Sequence, residues 1–290
     1  MSAVAAAAPA SGARAGNDGW SSAQIWGALF VAPYLVVFLA FVVYPVLYAF
    51  WLAHEPQSYQ KLLDDPIFIR SYVNTLIFIL VAINLKMIVA LLLSGFFTIP
   101  RWWIKALTVL FILPWAVPSI PTILSVRFML NPEWGVINQT IFKLTAEDGP
   151  NWLNDPRLAL FFSMLVHIWK SLPFWTLILL SGRLAISKDM YEAASVDGAN
   201  RWQQFRFVTW PSIAQLYLTC LLLSTIWTLG DFNSVYLLTG GGPADLTHVL
   251  ATLGIRYLRL AEVDMSMATI VTALPLILPL VYFMMKRLSR

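Results

Sequence analysis

The chain has 290 residues, of which 59% are hydrophobic and 12% charged, against about 45–50% and about 25% in soluble domains. That excess of apolar side chains excludes a soluble globular protein and predicts an all-α polytopic membrane protein, since helices satisfy their own backbone in lipid. The net charge of +4 does not point to nucleic acid, because the basic residues gather at the ends of apolar runs; the single cysteine, Cys220, excludes internal disulfides and Cys-rich metal sites.

Residues 1–24 are rich in Ala, Ser and Gly without a sustained apolar core. They read as a disordered cytoplasmic tail rather than a cleaved signal peptide. A span needs about 20 apolar residues, and six segments qualify: 25–51, 72–97, 104–130, 158–183, 212–238 and 265–285. The third carries Pro114, Pro118 and Pro121, each removing a backbone donor and favouring a bend. Residues 249–260 mix apolar residues with Arg256 and Arg259 and read as a stretch lying along the outer interface. Arg101, Lys105, Arg183, Lys188, Arg201 and Arg206 fall on one side of this arrangement, and most acids on the other. The positive-inside bias therefore puts both termini, including a short basic tail over 286–290, in the cytoplasm. The six spans form one transmembrane domain over 25–285.

Between the fourth and fifth segments lies a polar stretch, about 184–211, that must face water or a partner. Asp189 is placed to cap a short helix carrying Glu192, and Gly198 permits positive φ or close backbone approach. Trp202, Phe205 and Phe207 follow, flanked by Arg201 and Arg206. By itself such a stretch is either a docking surface or an ordinary amphipathic loop. Its spacing is more specific: Glu192-Ala193-Ala194, three residues, Gly198, nine residues, then Val208-Thr209-Trp210-Pro211. This closely resembles the EAA loop of the membrane subunits of ATP-binding-cassette (ABC) importers, with Val208 and Trp210 where Ile and Leu are usual. The resemblance implies that Glu192, Ala193, Ala194, Asp197, Gly198, Ala199, Arg201, Phe205 and Pro211 dock onto a separate ATPase subunit. Glu192 would make a polar contact and Gly198 the turn between two short helices. The chain has no G-x-x-x-x-G-K-[ST], so it cannot hydrolyse ATP alone and reads as a non-catalytic subunit.

Asn74-Thr75-Leu76, Leu113-Pro114-Trp115, Asn131-Pro132-Glu133-Trp134-Gly135 and Leu237-Leu238-Thr239-Gly240-Gly241-Gly242-Pro243 resemble the maltose-permease-like, binding-protein-dependent branch of carbohydrate importers. That resemblance implies a second permease subunit, two ATP-binding subunits using ATP and Mg, an extracytoplasmic solute-binding protein and a small-molecule solute. The setting would be the cytoplasmic (inner) membrane of a bacterium or archaeon. No cofactor is expected on this chain.

Charges inside spans are costly and ask for a partner or a wet cavity; Lys86, Arg127, Lys170 and Asp231 are such charges. By resemblance, the solute contacts fall on Trp169, Lys170, Ser171 and Phe174 in the fourth span and on Thr228 and Asp231 in the fifth. Aromatic faces cover C–H surface while polar groups satisfy hydroxyls. The chain departs from the family at Lys170 and Asp231, where neutral residues are more frequent, and at Arg127, where Trp is common. Either Lys170 and Asp231 pair structurally, or the cavity suits a small polyol or an anionic solute, helped by Arg127. His167 reads as a hydrogen-bonded packing residue, and His54, His167 and His248 lack metal-ligand spacing. The expected function is an ATP-driven importer permease for a sugar or polyol working by alternating access. The rivals are an importer permease for a phosphorylated polyol or other small solute, an ion-gradient-driven secondary transporter, and a membrane-embedded enzyme, for which no nucleophile or acid–base constellation is found.

Overall fold

A computed structural model describes residues 21–288, all helix, turn and loop with no strand among them. Of the expected tail over residues 1–24, residues 1–20 lie outside that range, as do the last two residues of the chain, while residues 22–24 belong to the first helix. The chain divides into two units, residues 1–51 and 52–290.

The first unit holds α1, Ser22–Leu52, as far as Trp51. Ser21 and Gln24 form a reciprocal capping box at its start, which satisfies two N-terminal donors. The helix opens into a π turn over Leu39–Val43. The cause is Pro45, whose ring would clash with the carbonyl four residues earlier, inside that turn.

In the second unit, a short amphipathic α2, Pro56–Asp64, leads into α3, Pro66–Phe97. Asp65 caps α3 by accepting from Ile67 N at 2.8 Å. The π turn of α3 over Phe78–Ile83 has no proline behind it. Its spare carbonyls are taken by Asn84, whose Nδ2 donates to Leu80 O at 2.9 Å and Ile79 O at 3.4 Å. The third expected span is broken: α4, Trp102–Ala116, and α5, Ser119–Met129, meet at 95°. Pro118 is the N-cap of α5, so the helix cannot run through. Among the described residues, five helices are thus long and apolar enough to cross a membrane, or up to six if the bent pair is one span.

After α6, Val136–Thr145, the chain enters α7, Pro156–Leu184, the central helix of this unit. Then come α8, Lys188–Val196, and α9, Arg201–Leu229, which starts inside the polar loop and stops at Gly230. The expected fifth span over 212–238 is therefore displaced toward the N-terminus. Residues 233–236 form a separate turn, α10 (Asn233–Tyr236), followed by α11, Leu250–Arg259, α12, Val263–Val271, and α13, Leu274–Leu288. One buried cluster joins Ile83 and Met87 of α3, Trp175 and Leu179 of α7 and Cys220 of α9. In lipid this packing is held by van der Waals contact and hydrogen bonds rather than by water exclusion. The face of α3 bearing Leu80 and Leu92 stays exposed, as a lipid-facing side requires.

The stretch over 249–260, expected along the outer interface, forms α11 and packs one face against the rest of its unit. Leu253 and Tyr257 of α11 are buried with Leu62, Phe68 and Ala268, and Tyr257 donates to Asp65 Oδ2 at 2.6 Å. Asn74 and Thr75 explain why their motif accompanies the glycine-rich turn. Asn74 Nδ2 donates to Leu246 O and His248 O, each at 2.9 Å, and Thr75 Oγ1 accepts from Leu250 N at 2.9 Å. Gly241, at φ +93°, lies so close to the His248 ring that a Cβ there would be 2.1 Å from it. His248 is fixed by Thr252 and by Asp245, which also holds Arg256. Burial holds its imidazole below the ordinary value, against the pull of Asp245.

Candidate functional site

Where α3, α7 and α9 pack, the central helix would bury three ionisable side chains, and the structure joins them into one chain of contacts. Lys86 of α3 is 1% exposed, and its Nζ lies 3.1 Å from His167 Nε2. His167 Nδ1 lies 2.7 Å from Asp231 Oδ2. Because the ammonium only donates and the carboxylate only accepts, this pattern assigns a neutral imidazole with the proton on Nδ1. The ring thus joins a buried cation to a buried anion, the condition under which such charges are tolerated. Ser234 completes the carboxylate shell, donating through Oγ to Oδ2 at 2.5 Å and through its N–H to Oδ1 at 3.3 Å. Thr228 Oγ1 lies 3.1 Å from His167 Nε2.

Lys170 does not meet Asp231. Its Nζ donates to Pro114 O at 2.7 Å and Val117 O at 2.6 Å, carbonyls freed where the proline-rich third segment breaks. The expected Lys170–Asp231 pair is therefore replaced by two separate arrangements: a lysine clamping a helix break, and an aspartate answered by histidine. The proline spacing signalled the break; nothing in the local sequence signalled which cation would cap it.

Lys170, Ser171, Thr228 and Asp231 all border one cavity of about 290 Å³, with Lys86, His167 and the aromatic rings of Trp115, Trp175 and Trp227. Phe174 supports rather than lines it, stacking on Trp115 with centroids 5.5 Å apart and tilting against Trp227 at 5.4 Å. Two of the residues expected to contact solute lie outside this cavity. Trp169 turns into an apolar groove with Phe97, Leu110 and Phe111, because one residue along a helix rotates a side chain by about 100°. Arg127 is exposed and reaches Leu237 O at 3.5 Å. The sequence reading missed Trp115, Trp227 and Ser234 as neighbours of the cavity and took His167 as packing alone. Trp115 follows Pro114, and that proline signal was available.

The polar loop folds into α8 and the first turns of α9. Ser187, not Asp189, caps α8; its Oγ accepts from Asp189 N at 3.3 Å, leaving Asp189 in the first turn, where a carboxylate also favours the helix dipole. Gly198 takes φ +78° and turns the chain. Asn200 and Gln203 then form a capping box that starts α9. Gln204 Nε2 ties the two helices by donating to Ser195 Oγ at 3.0 Å. The π turn Phe205–Thr209 precedes Pro211, repeating the proline effect seen in α1. Glu192, Ala193, Asp197, Arg201 and Pro211 are exposed, Ala194 and Ala199 partly so. Beside them Val196 is 88% and Trp202 67% exposed. Phe205 faces inward, against Trp202 and under the Arg183 guanidinium at 5.6 Å. No group of three or more metal-ligating side chains occurs among the described residues.

A membrane domain with a buried polar cavity and a short helical elbow at one end is the architecture of a permease component. The chain matches, over residues 86–290, the family described as binding-protein-dependent transport system inner membrane component, and it belongs to that family. It is 32% identical over 282 residues to the trehalose/maltose transport system permease protein MalF of Thermococcus litoralis, covering 91% of this chain and 94% of that one. It is 30% identical over 246 residues to the sulfoquinovosyl glycerol transport system permease protein SmoG of Agrobacterium fabrum, covering 79% and 78%. Its fold is similar to a chain of a bacterial ABC transporter involved in the import of the acidic polysaccharide alginate, with TM-score 0.79 and 23% identity over 92% of this chain and 95% of that one. The chain is thus a membrane permease subunit of a binding-protein-dependent ABC importer, a non-catalytic component of the inner membrane.

Proposed function

We propose that this permease carries a carbohydrate or polyol through the cavity bounded by Lys86 of α3, the break between α4 and α5, α7 and the end of α9. The observation that carries the reading is the pairing of aromatic faces, Trp115 and Trp227, with Ser171, Thr228 and Asp231 around one enclosure, the chemistry a polyhydroxy solute needs. The names of the relatives, which concern trehalose or maltose and sulfoquinovosyl glycerol, support that solute class. The elbow of α8 and α9 is the docking element for an ATPase subunit. Glu192, Ala193, Ala194, Asp197, Gly198, Ala199, Arg201 and Pro211 form its face, with Phe205 bracing it from within. Two such subunits, using ATP and Mg, and a second permease subunit complete the assembly. Both termini and the elbow are cytoplasmic. ATP-driven closure of the ATPases, passed through the elbow, switches the cavity between inward- and outward-facing states, each ligand favouring one state.

The test is to isolate the chain from its native membranes with its partners and to assay ATPase activity with a panel of sugars and polyols plus the binding protein. Stimulation by one solute, lost in Gly198→Asp, upholds the reading. A chain that comes out alone and transports with an ion gradient but no ATP overturns it. A second reading is favoured by the two lysines, Lys86 and Lys170, which line the cavity against one aspartate: a phosphorylated or otherwise anionic polyol. In that case the anionic members of the panel stimulate and the neutral ones do not.

A further inference from the structure

A second cavity, of about 490 Å³, opens where the elbow meets the spans. Thr98 from the end of α3, Arg183 from the end of α7, Lys188 from α8, and Arg201 and Thr209 from α9 line it. No carboxylate lines this cavity, and among the described residues none is bridged to Arg183, Lys188 or Arg201. The Arg183 guanidinium is fixed by neutral partners only. Its Nε donates to Ser94 Oγ at 2.9 Å and its Nη2 to Leu91 O at 3.0 Å.

Three cations lining one cavity with no carboxylate among them make it a favourable place for an anion. A pre-positioned guanidinium with lysine and hydroxyl donors around it matches the tetrahedral acceptor set of a phosphate group. The depth fits as well: Thr98 directly follows the last residue of the spanning helix α3, the level at which a span leaves the hydrocarbon and meets headgroups.

We propose that this cavity binds a phosphate group, held by Arg183, Lys188 and Arg201, at the joint between the elbow and the membrane domain. The group is the headgroup of an anionic phospholipid or a free phosphate. The proposal does not rest on the transported solute.

The assembled importer, delipidated in detergent, is titrated with inorganic phosphate by ³¹P NMR. It is also reconstituted in nanodiscs of phosphatidylcholine alone, with phosphatidylglycerol, or with oleate, an anion without phosphorus. Wild type is compared with Arg183→Gln and Lys188→Gln; the second removes an exposed side chain and leaves the Ser94 and Leu91 contacts intact. The expected result is saturable binding, weakened at least tenfold in both variants. Retention of phosphatidylglycerol alone assigns a lipid headgroup; saturable inorganic phosphate assigns the free anion. Equal binding by wild type and variants, equal retention of oleate, or binding that appears only after the ATPase subunits are stripped away overturns the proposal. The last outcome assigns the cations to a carboxylate of the docked ATPase.

Discussion

His167 and Asp231, 64 positions apart in the chain, meet at 2.7 Å and connect α7 to the segment after α9. Both are largely removed from solvent, and Lys86 stands on the other side of the ring. Removing one member of a buried charge pair strands the other, which costs about 3–5 kcal/mol. His167→Leu removes the neutral ring through which both buried charges are hydrogen-bonded and should lower the thermal stability of the purified complex severely. Asp231→Asn should do so as well: the amide still accepts from His167, but the buried Lys86 ammonium loses its counter-charge. Unchanged melting of both variants by a fluorescent unfolding assay would contradict the network.

Lys170 holds two carbonyls at the break between α4 and α5. Leaving such acceptors unmet costs about 1–3 kcal/mol. Lys170→Met should lose stability on that order, yet the folded fraction should keep its solute-stimulated ATPase activity. Loss of stimulation at full stability would make Lys170 a solute contact.

Trp227 lines the cavity whereas Trp169 looks into a separate apolar groove. Trp227→Ala is expected to raise the apparent KM for transport at least several-fold, about 1–3 kcal/mol being typical of one apolar contact in a pocket. Trp169→Ala should leave KM near the wild-type value. Transport kinetics in proteoliposomes decide between them, and the opposite order would relocate the solute path.

At Gly198 the left-handed backbone, not crowding, forbids a side chain: nothing lies within 4 Å of a Cβ there. An L-residue in that conformation costs about 1–2 kcal/mol. Gly198→Ala should weaken co-purification of the ATPase modestly, and Gly198→Asp more, since it adds a charge to the docking face. Quantitative pull-down measures both, and equal capture by all three proteins would remove the elbow from docking.

His248 is held neutral by burial, with its proton affinity below the ordinary 6.5. Below that value the unfolded chain takes up a proton that the folded one resists, so stability falls as pH drops. The melting temperature should decline between pH 7.5 and 5.5, and the decline should be shallower in His248→Gln. Asp245 meets the same ring at 3.2 Å and also accepts from Arg256 at 3.1 Å.

Features that depend on local chemistry were legible in the residues alone. The apolar runs imposed helices, because lipid offers the backbone no other partner. The prolines imposed breaks and π turns at Pro45, Pro118 and Pro211, and the Glu192–Pro211 spacing marked a helical elbow with glycine at its turn. Only the tertiary structure decided who meets whom. Composition shows that Lys86, His167, Lys170 and Asp231 lie in apolar surroundings and need partners, but pairing is set by how α3, α7 and α9 pack. That packing sent Lys170 to the carbonyls of a broken helix and gave Asp231 to His167. It also turned Trp169 away from the cavity and brought Trp115 and Trp227 to its wall. A helix places neighbouring residues about 100° apart, so a single position separates a cavity residue from a lipid-facing one, and no local signal reports the rotation of a helix within a bundle.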